Sequence, residues 1–515
     1  MSASLAAAAY AIFGFSSPFV LVPRISTPAF LARCFAVWFF TALILFFLDD
    51  HLGMLLLAGL VVVILAPSDP VQRTCFFFVA VPCLPSYLQV YLPFPGINWL
   101  IMLTYYKVVV FFVLAPIMFR SQPQQSLQGA TFSIADMCVV IYIIVTILLV
   151  SLSMGPTAGS RFLIDQTLVL AIPYFVLSRV IRGEADLDAS FRAIFFVSLI
   201  LAGIAIFATL KQWDFYRLKE PLSVATISDV RSGLLRIAAT ANTHSLGYHL
   251  AIGFIFLQYL KDVLVLDTVR LWLLRGMLLA GLFFTNSRGA MLSLAVALVI
   301  YAIVMIRKAA LRRGMLILFA FAFVVAGIWL VTTKDASGVD AYNSVGYRQL
   351  LLQISIQHIM ENALFGDLHF LLDPKFRALV QGQGIIDITN LYLQIGLYFG
   401  ALGLVLFLAI FVPTLRDLMR VISRLSASRA DDRERVRKMS AIILSATFGW
   451  FVLILTTSDV ALTLHLGLTL IAIARAVSRF EVLKDEPIKD QLNQGSLSLR
   501  GLASRILHPP GARAS

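Results

Sequence analysis

Charge is scarce in this 515-residue chain: Asp, Glu, Lys and Arg make up 13% of it, while 60% is hydrophobic. A soluble domain of this length needs far more charged surface, so that class is excluded. Cysteine is scarce too. Cys34, Cys75, Cys83 and Cys138 lie in or beside apolar runs, and no pair has the spacing of a zinc knuckle or a redox motif. They read as small buried hydrophobes. HExxH, CxxC, Walker and dinucleotide motifs are all missing, so metal and nucleotide chemistry are unsupported and no cofactor is expected. The N-terminus, MSASLAAAAYAIFGF, lacks the basic stretch that opens a cleavable signal peptide.

What the chain does have is long uncharged apolar runs, among them Phe35–Leu48, Val139–Met154 and Ala290–Ile306. A run of roughly 20 apolar residues matches the hydrocarbon thickness of a bilayer. Such runs recur from one end to the other, which predicts an all-α, polytopic integral membrane protein with about 13–14 transmembrane helices. Residues 1–476 read as one membrane domain, and 477–515 as a basic, disordered cytoplasmic tail. Residues 5–22, broken by Gly14 and Pro18, read as either a short interfacial helix or a poor span. Thr74–Leu92 reads as a span kinked at Pro82 and Pro85, and Leu100–Phe119 as the span that returns.

The net charge of +13 raises nucleic acid as a partner. Its distribution argues against that. Basic residues gather in short connections, as at Arg416–Lys438, which is the positive-inside pattern that sets membrane orientation. Orientation stays consistent at each basic loop from Arg24 onward. It places two polar loops, 211–242 and 334–388, on the outer side, together with Arg236, Arg288 and Arg348.

Those arginines are the leading candidates for function. Arg288 opens a span in TNSRGAML on the side where the positive-inside rule disfavours it, and an arginine near bilayer depth is costly. The bland alternative is a snorkelling interface residue. Arg348 lies in Tyr347–Asn362, which reads as an amphipathic helix with Leu352, Ile356, Ile359 and Met360 on one stripe. Arg236 and His244 fall in RIAATANTHSLGYH, just before the next span. Guanidinium groups grip phosphate oxygens bidentately and stay charged, so outward arginines around one cavity suit a pyrophosphate. Asp387 is a candidate general base for a sugar hydroxyl, with a helix cap as the competing reading, and Asn390 stands beside the next span. His244 is a second candidate base, although a lone histidine is more often structural.

TNSRGAML, two spans, YRQLLLQISIQHIMENALFG and TNLYLQIGLYFGALGLVLF, in that order, resemble the O-antigen ligase and Wzy-type polymerase superfamily over about Leu235–Phe407. The resemblance implies a GT-C-like membrane glycosyltransferase, working without metal or nucleotide sugar. It would move a glycan from an undecaprenyl-pyrophosphate carrier to an acceptor sugar on the periplasmic side of a bacterial inner membrane. Arg288 and Arg348 then hold the pyrophosphate, with Arg236 in support, and Asp387, His244 and Asn390 are the catalytic candidates. Two positions depart from the family pattern: Thr389 stands where its "HN" histidine is expected, and Ala363 where its "nPlfG" proline is. The first departure favours a polymerase of exopolysaccharide or O-antigen repeat units over a ligase that attaches polymer to lipid A core. Membrane lipid is an expected partner, as are a chain-length regulator and a flippase. A transporter or flippase is the rival from another class; mid-span positions nearly free of charge and the lack of inverted repeats count against it.

Overall fold

The computed structural model describes residues 28–119, 132–217, 230–231, 234–308, 310–318, 344–380, 384–426, 431–458 and 462–479. Helices dominate. In chain order they are α1 (Pro28–Phe47), α2 (His51–Leu65), α3 (Pro70–Ala80), α4 (Tyr105–Phe119), α5 (Ile134–Met154), α6 (Pro156–Val180), α7 (Glu184–Lys211), α8 (Thr243–Val263), α9 (Thr268–Phe284), α10 (Arg288–Met305), α11 (Ser344–Glu361), α12 (Leu391–Leu425), α13 (Asp431–Ile454) and α14 (463–479). The chain is an all-α polytopic membrane protein. Among the described residues, 7 helices are long and apolar enough to cross a bilayer: α1, α5, α6, α7, α10, α12 and α13. The count of spans expected from the sequence is larger because several apolar helices are short: α2 has 15 residues and α9 has 17. The expected spans at 5–22 and over most of 316–331, and the tail beyond Arg479, lie outside the described residues.

In lipid, helices gain little by burying apolar surface against one another, so close backbone approach at small residues carries the association. A Cβ built on Gly449 of α13 would lie 2.8 Å from Ser293 O of α10, and one on Gly247 of α8 would lie 2.7 Å from Ala290 Cβ of α10. Polar tethers add to this. Trp450 Nε1 donates to Thr463 O at 2.8 Å, and Tyr248 OH donates to Ala446 O.

Cross-links sort the helix termini into two ends. At one end the starts of α8, α10, α12 and α14 meet the finishes of α9 and α13. His244 bonds Ser287, Ser245 bonds Thr463, Ile237 N donates to Phe284 O, and Leu391 N donates to Thr457 O. At the other end Lys438 of α13 pairs with Asp262 of α8, Arg307 after α10 pairs with Glu434 of α13, and Arg479 of α14 pairs with Asp136 of α5.

One expectation needs correcting. No kinked span runs over Thr74–Leu92. The helix stops at Ala80, a turn spans Val81–Cys83, and the chain enters an antiparallel hairpin, β1 (Gln89–Phe94) and β2 (Ile97–Thr104), pairing Gln89 with Thr104. Pro82 and Pro85 deny the helix its hydrogen bonds, and a β-branched and aromatic run follows that suits a strand. The return helix therefore begins at Tyr105, capped by Thr104 Oγ1, which accepts from Lys107 N. On α11, Leu351, Ser355 and His358 are buried against protein, while Leu352, Ile356 and Met360 of the apolar stripe are exposed and Ile359 is half-buried. The helix rests on a small core of its own, Leu351, Phe370, Phe376, Leu379, Ile388 and Leu397, formed with the following loop and the first turns of α12.

Candidate functional site

The turn TNSRG joins α9 to α10. Asn286 takes a left-handed conformation (φ 49°), which Asn tolerates better than most residues. Ser287 then caps α10, its Oγ accepting from Ala290 N at 3.3 Å. Arg288 is the first helical residue and is exposed. Gly289 behind it has no room for a side chain: a Cβ there would fall 2.2 Å from Thr456 Oγ1. The arginine turn is thus pressed against the segment that follows α13.

That segment, Thr456–Ser458, is the hub. Arg348 Nη2 donates to Thr456 O at 3.4 Å, Thr457 O accepts from Leu391 N at 3.0 Å, and Ser458 Oγ donates to Asp387 Oδ1 at 3.2 Å. Tyr347 locks the same place from the other side. Its hydroxyl donates to Asp387 O at 2.8 Å and accepts from Asp387 N at 3.1 Å. Burial raises the pKa of the Asp387 carboxyl; the Ser458 hydrogen bond and the nearby Arg348 charge pull it back down. For Arg348 burial lowers the pKa, Asp387 opposes that shift and Arg288 reinforces it. Arg348 is therefore within electrostatic reach of both Asp387 and Arg288.

Arg236 is half-buried and donates from Nη2 to Thr243 Oγ1 at 2.9 Å. His244, one residue on, places Nδ1 2.8 Å from Ser287 Oγ, so it touches the cap of the Arg288 helix. The strip that carries Arg236 is anchored by Asp214, which accepts from Ala239 N at 3.3 Å and Tyr216 N at 3.1 Å. Burial pushes Asp214 up to about 6, against those backbone donors.

The helix cap considered for Asp387 belongs to another residue. Asn390 Oδ1 accepts from Tyr392 N at 2.9 Å and Leu393 N at 3.2 Å, which leaves the Asp387 carboxylate to face Ser458 and Arg348. Further along, α12 breaks at Gly400 (φ 63°, ψ −161°). The freed backbone is taken up by the turn after α11: Ala401 N donates to Ala363 O at 2.8 Å, and Leu402 N to Leu364 O at 3.1 Å. A Cβ on Gly400 would lie 2.5 Å from Leu364 O, so only glycine fits. The ALFG turn and the glycine-spaced start of α12 are two halves of one joint.

On the far side of the first turns of α12 lies a cavity of about 560 Å³. Apolar groups line most of it, with Trp99, Arg161, Lys107, Asp165 and Gln394 adding polar positions. Arg161 stacks over the Trp99 ring at 4.0 Å, and Lys107 pairs with Asp165.

Every site candidate from the sequence thus lies at one end of the bundle. Arg288, Arg348 and Asp387 share the Thr456–Ser458 hub, while Arg236 and His244 join it through Thr243 and Ser287. Sequence reasoning gave no role to Tyr347, although it opens a quoted motif, or to Ser458; only their contacts mark these hydroxyls. Three helices, α8, α10 and α12, also start here, and helix N-termini favour anions. An arginine on the first turn of α10 opposes its own helix dipole, which an anionic ligand would offset.

Residues 273–408 match the family model described as O-Antigen ligase. The match takes in Arg288, Arg348, Asp387 and Asn390, and stops short of Arg236 and His244. It bears out the resemblance read from the motifs. No curated protein matches the chain. The match supports an enzyme of the membrane polysaccharide ligase or polymerase class, acting on a lipid-linked glycan.

Proposed function

We propose that the chain polymerises polyprenyl-pyrophosphate-linked oligosaccharide repeat units at the extracytoplasmic face of a bacterial inner membrane. The observation that carries this reading is the meeting of Arg288, Arg348 and Asp387 around the Thr456–Ser458 hub. In the reaction an acceptor hydroxyl attacks the anomeric carbon of the donor. The C–O bond to the diphosphate breaks, its electron pair leaves with the carrier pyrophosphate, and the acceptor proton passes to a base. Arg288 and Arg348 bind the diphosphate and stabilise the charge it gains. Arg236 supports them. Asp387 takes the proton; its raised pKa brings it closer to the range where a carboxylate acts as a base near neutral pH. His244 is the alternate base. Asn390 orients the first turn of α12 by capping it. The cavity beside α12 has the apolar lining that a carrier chain or a glycolipid acceptor requires.

A deletion strain tests this. Loss of long polymer with single repeat units still made supports polymerisation, and unchanged polymer length rejects it. The family's printed description favours one second reading, a ligase that transfers finished polymer. That reading expects lipid-linked polymer to accumulate in the same strain. Thr389 at the place of the ligase histidine is the reason for preferring the polymerase.

A further inference from the structure

A second polar cluster lies at the other end of α11, about 15 Å along the helix from Arg348 at 1.5 Å per residue. His358 and Glu361 are three residues apart and share a helix face. Asp373 faces them from the following loop, and one ligand atom from each of the three residues falls within 4.8 Å of the others. His358 is 3% exposed, wedged against Phe370 and Phe376 with ring centroids 6.4 and 5.4 Å away. Its two nitrogens have different surroundings. Nε2 lies 3.2 Å from Asp367 Oδ2 and 3.4 Å from the Asn362 side-chain nitrogen. Nδ1 forms no hydrogen bond with any described residue, although Asp373 Oδ2 is 3.2 Å away.

In the tautomer that donates Nε2–H to Asp367, the Nδ1 lone pair faces the Asp373 carboxylate and is repelled by it. A cation between them removes the repulsion and satisfies both. A histidine that gives its other N–H to a carboxylate is the usual arrangement behind a bound metal. We propose that His358 Nδ1, Asp373 and Glu361 bind a divalent cation of the zinc or manganese class, clipping the 362–380 loop to α11. One imidazole with two carboxylates suits those ions better than calcium, which takes oxygen ligands alone. Lys375 is the internal competitor. Its Nζ lies 2.6 Å from Glu361 Oε1, on an exposed side chain free to swing away when the metal arrives. The clip is structural: it holds the far end of the helix that carries Arg348 and is independent of the transfer reaction proposed above.

The test uses the full chain in detergent, stripped with a chelator, then melted with added zinc, manganese or magnesium. Zinc or manganese should raise the midpoint by several degrees, saturating near one equivalent, and magnesium should not. His358→Gln and Asp373→Asn should lose the shift. Lys375→Met should bind the metal about tenfold tighter, the scale of effect that neighbours of a metal site produce. No shift with zinc or manganese, or a shift retained in both ligand variants, overturns the site. If the ligand variants do not fold, Lys375→Met decides alone: tighter binding supports the clip, and unchanged or weaker binding overturns it.

Discussion

The two ends of the helix bundle handle charge in opposite ways. At one end several cations lean on carboxylates. Arg479 lies 2.7 Å from Asp136, Arg192 2.8 Å from Asp188, Arg437 3.0 Å from Glu434 and Arg475 3.5 Å from Asp417. At the other end Arg288 is exposed, and Arg348, accessible but partly desolvated, spends its hydrogen bond on a backbone carbonyl and makes no salt bridge among the described residues. A buried ion pair satisfies itself, and where it links two helices, as Arg479–Asp136 and Arg475–Asp417 do, it fixes one against the other. An exposed cation near the starts of helices is accessible to an anion from outside. The difference teaches where to look for function: ion pairs that tie helix to helix, such as Arg479–Asp136, are scaffold, and the arginines gathered beside Asp387 are the site.

The sharpest way to break that comparison is at the arginines. Lys at position 288 or 348 keeps the charge and loses the bidentate fork. Polymer formation should drop about a hundredfold, the size seen when a donor to developing charge is lost, while immunoblots show normal protein levels. Full activity in both variants would make the two ends equivalent. At the scaffold end the damage should be to folding. Asp136→Ala strands Arg479 and should cost about 3 kcal/mol, read as a lower melting midpoint in detergent. A variant that melts normally but loses activity would reverse the assignment of the ends.

The joint between the loop and α12 comes next. Gly400→Ala forces a side chain onto Leu364 O and a strained φ, so it should cost about 1–3 kcal/mol in thermal unfolding and reduce activity with it. The pH dependence sharpens the site end further. The Asp387 carboxyl is raised above its ordinary value of about 3.9, so activity should rise with pH through an acid limb displaced above that value. Asp387→Asn should abolish the limb. The sign for stability is opposite. A raised carboxyl holds its proton in the folded state, so its contribution is full below the ordinary value and is lost as pH rises through the raised one. The smallest effect belongs to Ser458→Ala. Its hydrogen bond holds the Asp387 pKa down, so its removal should move the acid limb to higher pH, with only a few-fold loss of rate at neutral pH, for a lost bond of about 1 kcal/mol.

Some of this was legible without coordinates and some was not. Arg288 stood out because a charge at the mouth of an apolar run is costly in any fold. The ALFG turn and the glycines of α12 were visible as motifs, but not that they touch, because Ala363 and Ala401 are distant in sequence and meet only through the break at Gly400. On α11 the apolar stripe was legible, but not that Leu351, Ser355 and His358 are the positions that meet protein. Leu352, Ile356 and Met360 are as apolar as Leu351, and periodicity cannot say which of two apolar faces meets protein. The hairpin at 89–104 was missed because a short apolar run bounded by prolines reads equally well as part of a span.

Bilayer thickness and the cost of an unpaired backbone in lipid act on any apolar run, so local composition alone determined that the chain is a bundle of helices crossing a membrane. Composition also placed the arginines at span boundaries. Only the tertiary structure brought Arg288, Arg348 and Asp387 to one hub, handed the α12 cap to Asn390 rather than Asp387, and turned His358 Nδ1 toward carboxylates. The hub contacts pair residues tens to hundreds of positions apart, and such pairings arise from how whole helices pack.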